Sequence, residues 1–233
     1  MADKIIAIVL AAGRGKRMNS DIQKQYLLIE GKPVIYYSLK TFEESVVDEI
    51  ILVVGKDEVE YCQKEIVEKY NFSKITHIVQ GGTERYYSVY NGLCKIDHGD
   101  YVLIHDGARP FVNEDMINRS IIAVKEFNGC TVAMPVKDTI KIVDENQFGV
   151  ETPERKLVWQ VQTPQSFKVE LIKSAYAKML QNISADITDD TMIVERYEAC
   201  KIKVIEGSYE NIKITTPEDL KIAEVFLKKL LTH

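Results

Sequence analysis

Residues Ile5-Ile-Ala-Ile-Val-Leu-Ala-Ala12 form an unbroken apolar run that stops abruptly at Gly13-Arg-Gly15. A run with no polar face has the length and Ile/Val content of a strand covered on both sides, as in the interior of a parallel sheet. Two glycines at the carboxyl end of such a strand let the backbone come close to a ligand and turn its N–H groups inward. Arg14, Lys16, Arg17 and Lys24 then place four cations within eleven residues. A phosphate-rich ligand is the natural partner of a loop of this kind. The spacing is not the Gly-x-x-x-x-Gly-Lys-Ser/Thr phosphate loop, because Gly15 is followed by Lys16-Arg17. Nor is it the dinucleotide fingerprint, because no third glycine stands three residues after Gly15. A strand followed by a solvated basic turn is the plain alternative.

The 233 residues suffice for one large α/β domain or two small ones. The net charge of −5 argues against a general nucleic-acid binder, so the cations of the first loop read as local chemistry. Cys62, Cys94, Cys130 and Cys200 are scattered, with no Cys-x-x-Cys pair, which fits a reduced, cytoplasmic protein. The apolar run is too short to span a bilayer and carries no cleavage-site pattern, so no membrane or targeting role is expected.

Strands and helices alternate along the first 135 residues. Residues 32–42 predict a helix with Pro33 in its first turn and Ile35, Leu39 and Phe42 on one stripe. Glu49–Val54 predicts a buried strand, and Asp57 the cap of a helix bearing Val59, Cys62, Ile66 and Tyr70. Thr76–Val79 predicts a strand ending in Gly81-Gly82, with a helix opening over Thr83–Ser88. Tyr101–Ile104 predicts a strand running into His105-Asp-Gly-Ala-Arg-Pro110, and Asn113 the cap of a helix stopped by Gly129. Thr131–Pro135 predicts a further strand. The pattern is that of an α/β fold, a Rossmann-like, mostly parallel sheet with helices on both faces. Ligands bind such sheets beyond the carboxyl ends of the strands, where the loops 13–24, 81–88 and 105–110 fall.

Residues 137–160 break the alternation. Asp138–Val143 alternates like a half-exposed strand, 144–149 is turn-rich, and Leu157–Val161 is the expected return strand. A free hairpin is marginal in water, so this β-arm predicts a cover, most economically a second subunit in a homodimer. Beyond it, helices are expected near Val169–Leu180 and from Thr188-Asp-Asp to Glu198, and a strand over Ile202–Ile205. A final helix is expected after the Thr216 cap and Pro217, with Leu220, Ala223, Leu227 and Leu230 inward.

Eight segments occur in order that are characteristic together: Leu10–Met18, Lys24-Gln-Tyr-Leu27, Gly81–Arg85 with Ser88, His105–Pro110, Val136–Thr139, Gln162-Thr-Pro-Gln165, Thr188-Asp189 and Asn211-Ile-Lys213. Over nearly its whole length the chain resembles the 2-C-methyl-D-erythritol 4-phosphate cytidylyltransferases of the non-mevalonate isoprenoid pathway. One departure is Gln23, where that family often has proline before the loop lysine. The resemblance implies a single nucleotidyltransferase domain over 1–233 that joins the phosphate of methylerythritol phosphate to the α-phosphorus of CTP and expels pyrophosphate. It implies Arg17 and Lys24 as transition-state stabilisers, and Arg155 and Lys213 as the residues holding the attacking phosphate. Ala11, Ala12, Gly13, Arg14, Gly15, Gly81, Gly82, Arg85, Ser88 and Asp106 fall on the nucleotide side. Asp106, Arg109, Thr139, Arg155, Thr188 and Lys213 fall on the acceptor side, with Thr139 and Arg155 delivered across a dimer by the arm. Mg²⁺ is implied with CTP, held mainly by phosphates, with Asp106 a candidate contact. His105 reads as a structural hydrogen-bonding residue, since the chemistry needs no base.

Two other readings compete. A ribitol-5-phosphate cytidylyltransferase shares fold, nucleotide and mechanism; the Leu-Ala-Ala-Gly and His-Asp-Gly-Ala-Arg-Pro segments favour the methylerythritol family by analogy. A nucleotide-binding regulatory module without catalysis has no need to keep all four of Arg17, Lys24, Arg155 and Lys213. Residue by residue, plain alternatives also stand: solvated loop cations for Arg17 and Lys24, a surface ion pair for Arg155, a solvent-facing strand position for Lys213, and a structural Asp106–Arg109 pair.

Overall fold

The apolar run Ile5–Ala11 forms strand β1, flanked on both sides in a sheet that is seven-stranded among the described residues. The computed structural model describes residues 3–13, 23–182 and 186–231. Arg14, Gly15 and Arg17 lie outside the described residues. Alternation along β1 divides the core in two. Ile5, Ala7, Val9 and Ala11 face Ile35, Leu39 and Phe42 of helix α1 (Val34–Glu44) and Ile117 and Ile121 of α4 (Glu114–Phe127). Ile6 and Ile8 face Val89 and Leu93 of α3 (Arg85–Leu93), Ile172 and Tyr176 of α5 (Val169–Gln181) and Ile193 of α6 (Asp190–Glu198). Each fully buried Val, Ile or Leu contributes about 1.5–3 kcal/mol, so a strand buried on both faces is tightly held.

The other main-sheet strands are β4 (Glu49–Val54), β5 (Ile75–Gln80), β6 (Tyr101–Asp106), β7 (Gly129–Pro135), β10 (Trp159–Lys168) and β11 (Lys203–Glu206), in the order β11-β7-β10-β6-β1-β4-β5. β1 runs parallel to β4 and β6, β4 to β5, and β7 to β11, while β10 runs antiparallel to both β6 and β7. The predicted Rossmann-like, mostly parallel sheet is therefore observed. The strand order reverses at β1, so a crevice opens at the carboxyl ends of β1, β4, β5 and β6. A short hairpin, β2 (Leu28–Ile29) with β3 (Lys32–Pro33), leads into α1. Helix α7 (Pro217–Leu231) packs Ala223 and Leu227 on Ile29, Val34 and Ile214.

Several local expectations are corrected. Asp57 does not cap the helix α2 (Val59–Cys62, continued as a π-helix over Gln63–Glu68): it has a left-handed backbone with φ +64°, and Glu58 is the residue before the helix. Helix α4 does begin at Asn113, whose side chain accepts from Met116 N at 2.9 Å, but it ends at Asn128, not Gly129. Asn128 adopts the left-handed C-cap with φ +64°, which asparagine tolerates, and Gly129 opens β7. The helix expected over 32–42 starts at Val34, because Lys32 and Pro33 pair with Leu28 and Ile29.

The arm differs most. Its hairpin is β8 (Ile142–Val143) with β9 (Gly149–Glu151), and the expected return strand belongs elsewhere. Trp159, Gln160 and Val161 pair with Pro135, Met134 and Ala133 in the main sheet, so backbone pairing to β7 prevails over pairing within the arm. Ile142, Val143, Phe148, Val150 and Leu157 on the arm are exposed. The side chain of Leu230, expected inward, lies outside what is described.

Candidate active site

The crevice is a cleft of about 1050 Å³. Ala11, Ala12 and Gly13 follow β1 into it, Gly55 and Lys56 follow β4, residues 80–85 with Ser88 follow β5, and Asp106 ends β6; Lys24 and Lys213 close its rim. Ten of the predicted site residues thus meet in one place: Ala11, Ala12, Gly13, Lys24, Gly81, Gly82, Arg85, Ser88, Asp106 and Lys213.

The glycine turn has a steric reason. A Cβ on Gly81 would stand 2.4 Å from Ala12 Cβ and 2.7 Å from Ser88 Oγ, and one on Gly82 would stand 2.2 Å from Tyr87 Cβ. Only glycine lets this turn lie against the end of β1. Gly82 N donates to Ser88 Oγ at 3.1 Å, so the serine hydroxyl braces the turn from the first part of α3.

Lys24 opens a 3₁₀ turn, Lys24–Tyr26, that is anchored on both sides. The buried Gln25 side chain donates to the Ala11 carbonyl. The Glu58 carboxylate accepts from Tyr26 Oη at 2.8 Å and from Gly55 N at 2.9 Å, and also receives the Gln23 amide. Gln23 itself has φ −64° and ψ 140°, a backbone that proline also adopts. Where the resembling family often restrains this position with a proline ring, this chain tethers it by a side chain. Burial among these groups pushes the Cys62 thiol, which lies 3.0 Å from Tyr26 Oη, up to about 11.

Where β6 ends in the cleft, Asp106 gathers the charged groups. Lys213 Nζ lies 2.6 Å from its Oδ2 and Arg85 Nε lies 3.4 Å from its Oδ1. Burial would raise the Asp106 carboxyl, but Arg85, Lys213 and Arg109 outweigh it and hold the group well below the usual carboxylate range. Lys213 is not on a strand, contrary to the alternation of its neighbours. Buried Asn211 donates to Thr163 O at 3.0 Å and Gln162 Oε1 at 3.2 Å, and Ile214 N donates to Ala108 O at 2.8 Å, fixing the segment as a loop. The plain alternative, a structural Asp106–Arg109 pair, is not among the ion pairs of the described residues: the Arg109 guanidinium donates to Asn211 O at 2.8 Å and Val161 O at 3.5 Å.

His105 is fully buried. Asp106 N donates to Thr163 Oγ1 at 3.1 Å, which turns the hydroxyl proton to His105 Nδ1 and leaves His105 Nε2–H to donate to Arg109 O at 3.0 Å. Burial lowers its pKa to about 4, so the ring is neutral.

Arg109, Thr139, Arg155 and Thr188 do not line the cleft. Thr188 borders a separate recess of about 60 Å³. Thr139 and Arg155 are exposed on the arm, where Arg155 donates to Lys137 O at 3.3 Å. The buried polar groups behind the site, Thr163, Gln165, Asp190 and Asn211, carry no assignment from sequence. Gln162-Thr-Pro-Gln165 stood out as a motif, yet its partners lie tens of residues away and nothing local names them.

A glycine-lined cleft edged by lysines, at the switch point of a mostly parallel sheet, suits an enzyme that handles the phosphates of a nucleotide. The family model for 2-C-methyl-D-erythritol 4-phosphate cytidylyltransferase matches residues 5–229. The chain belongs to this family. It is 54% identical over 224 residues to the 2-C-methyl-D-erythritol 4-phosphate cytidylyltransferase of Lachnospira eligens, covering 95% of this chain and 98% of that one. The enzyme of the same name from Lachnoclostridium phytofermentans is 51% identical over 227 residues, 97% of each chain. Among solved structures, a 4-diphosphocytidyl-2C-methyl-D-erythritol synthase from Anaerococcus prevotii superposes with TM-score 0.86 at 38% identity, covering 97% of this chain and 96% of that one. The Francisella tularensis cytidylyltransferase gives TM-score 0.76 at 32% identity, covering 95% and 99%.

Proposed function

We propose that this chain transfers a cytidylyl group from CTP to 2-C-methyl-D-erythritol 4-phosphate, releasing pyrophosphate and 4-diphosphocytidyl-2-C-methyl-D-erythritol for isoprenoid precursor synthesis. The observation that carries the reading is the convergence of Ala11–Gly13, Gly81, Gly82, Ser88, Lys24, Asp106 and Lys213 on one cleft. An oxygen of the acceptor phosphate attacks the α-phosphorus of CTP, and the bond to the bridging oxygen of the β-phosphate breaks. Both reactants are anions and the nucleophile is already ionised, so the work is positioning and charge stabilisation rather than proton transfer. The neutral, buried His105 agrees with that division of labour.

Ala11, Ala12, Gly13, Gly81, Gly82 and Ser88 cradle the nucleotide, with Arg14, Gly15 and Arg85 on its phosphate side. The tight turn at Gly81-Gly82 favours the smaller pyrimidine over a purine. Lys24 and Arg17 stabilise charge developing on the α-phosphoryl group. Lys213 holds the attacking phosphate, and Asp106, Arg109 and Thr188 complete the acceptor side. Thr139 and Arg155 act from a partner's arm in a cytoplasmic homodimer. The exposed apolar residues of the arm, and an Arg155 that does not line its own cleft, support that assembly. The chain is read as a single nucleotidyltransferase domain with the arm at about 137–160.

Among the described residues there is no group of three or more His, Cys, Asp or Glu side chains that could hold a metal ion. Asp106, a carboxylate facing the cleft, fits a Mg²⁺ held otherwise by phosphate oxygens. When bound, that ion neutralises charge on the triphosphate. Pyrophosphate release from CTP, measured with methylerythritol phosphate and with ribitol phosphate, tests the assignment. Among the described residues no helix is long and apolar enough to cross a membrane.

A further inference from the structure

Behind the cleft lies a carboxylate for which the reaction has no direct use. Asp190, the first residue of α6, is fully buried, and its Oδ2 accepts from Arg85 Nη2 at 2.8 Å. Its Oδ1 accepts from the buried Tyr176 hydroxyl at 2.6 Å. The backbone around it is fixed as well: Asp190 N donates to Gln165 Oε1 and Gln165 Nε2 donates to Asp189 Oδ2, both at 3.0 Å, while Asp189 caps the helix through Met192 N. Asp190 is therefore held by the sheet, by α5 and by its own helix. The side chain that depends on it is Arg85.

Arg85 makes a short contact to Asp190 and a long one, 3.4 Å, to Asp106 Oδ1. Asp106 in turn keeps its Oδ2 for Lys213 at 2.6 Å. The four side chains form a row of alternating charge, Asp190, Arg85, Asp106 and Lys213. A guanidinium with a rigid fork can satisfy two carboxylates at once, which a point charge cannot. Without Asp190, nothing in this row opposes closure of Arg85 onto both oxygens of Asp106, at the expense of Lys213.

We propose that Asp190 is a positioning residue for the acceptor phosphate: by drawing Arg85 away from Asp106 it leaves Asp106 free to orient Lys213. The inference rests on the reading of Lys213 as the residue that receives the acceptor phosphate. Asp190 touches no substrate and acts through Arg85. A misplacement of about 1 Å in such a row costs up to about a hundredfold in rate. Because the glycine turn and Ser88 have their own contacts, the larger part of the effect falls on the acceptor through Lys213, and only a small part reaches the nucleotide through Arg85.

The test is steady-state kinetics of the intact protein with each substrate varied in turn. Wild-type turnover with CTP and an alcohol phosphate tests the functional reading by itself, and the variants are then compared on whichever alcohol phosphate the wild type uses. Asp190→Asn keeps the shape and removes the charge. It is expected to raise KM for the alcohol phosphate about tenfold or more while KM for CTP stays within about twofold. Asp190→Glu, which restores the charge, is expected to recover most of the loss. A structural role alone would lower Tm and the active fraction without separating the two KM values, and that result overturns the proposal. Should Asp190→Asn not fold, Asp190→Ser decides: it too removes the charge that draws Arg85 away from Asp106, and is expected to show the same acceptor-selective rise. An unchanged acceptor KM in a folded Asp190→Ser protein, or an equal rise for both substrates, overturns it.

Discussion

Thr163 Oγ1 stands 3.0 Å from His105 Nδ1, and Nε2 faces the Arg109 carbonyl, which only accepts, so the neutral ring carries its proton on Nε2 and accepts at Nδ1. A second ring proton would bring a charge into a fully buried site, which burial disfavours. The ring therefore titrates at about 4, below the ordinary value of 6.5.

The sign of the pH dependence follows. Between about pH 4 and 6.5 the unfolded chain binds a proton at His105 that the folded chain does not, so stability rises with pH across that window. The total is on the order of 3 kcal/mol. Urea unfolding of the wild type at pH 4.5, 5.5 and 7 should show this slope, and His105→Gln should flatten it. An equal slope in both proteins would locate the titration elsewhere.

Lys24 lines the cleft on a turn anchored by its neighbours. Lys24→Ala should lower kcat by about two orders of magnitude or more with an unchanged unfolding transition. Near-normal turnover would remove Lys24 from the chemistry.

Gly81 has no room for a methyl group, with Ala12 Cβ at 2.4 Å and Ser88 Oγ at 2.7 Å from the position of a Cβ. Gly81→Ala should raise KM for CTP by about tenfold, the scale of one or two kcal/mol of overpacking. The same turn should make CTP a far better substrate than ATP or GTP. Equal use of a purine triphosphate would contradict the size argument.

Arg155 sits on the exposed arm and does not line its own cleft, which permits a complementation experiment. Arg155→Ala and Lys24→Ala subunits, each nearly inactive, are mixed under conditions of proven exchange. If arms cross between subunits, each mixed dimer holds one doubly defective site and one intact site. About half the dimers are mixed, so roughly a quarter of normal activity should return. No recovery would make Arg155 local or structural.

How far the sequence could be read depended on whether a signal was local. β1 was legible because both its faces are buried and every residue says so, and the Asn113 cap because its partner is three residues away. Asp57 was misread because Glu58 turns back to Gly55 and Tyr26, a contact made across 32 residues in the second case. The pairing of Trp159–Val161 with β7 was hidden because the intervening arm offers an equally plausible partner until the sheet is assembled. In the cleft, glycines and cations announced themselves by type and spacing. Gln25, Thr163, Asp190 and Asn211 did not, since a buried polar residue is intelligible only from the distant groups that satisfy it.

The central claim is that this cleft joins CTP to methylerythritol phosphate. The direct measurement is kcat/KM from coupled pyrophosphate release at saturating CTP, with 2-C-methyl-D-erythritol 4-phosphate and ribitol 5-phosphate as alternative acceptors, and identification of the nucleotide product. The account predicts stoichiometric formation of 4-diphosphocytidyl-2-C-methyl-D-erythritol and strong preference for methylerythritol phosphate. A preference for ribitol phosphate, or CTP binding without pyrophosphate release with either acceptor, would contradict it.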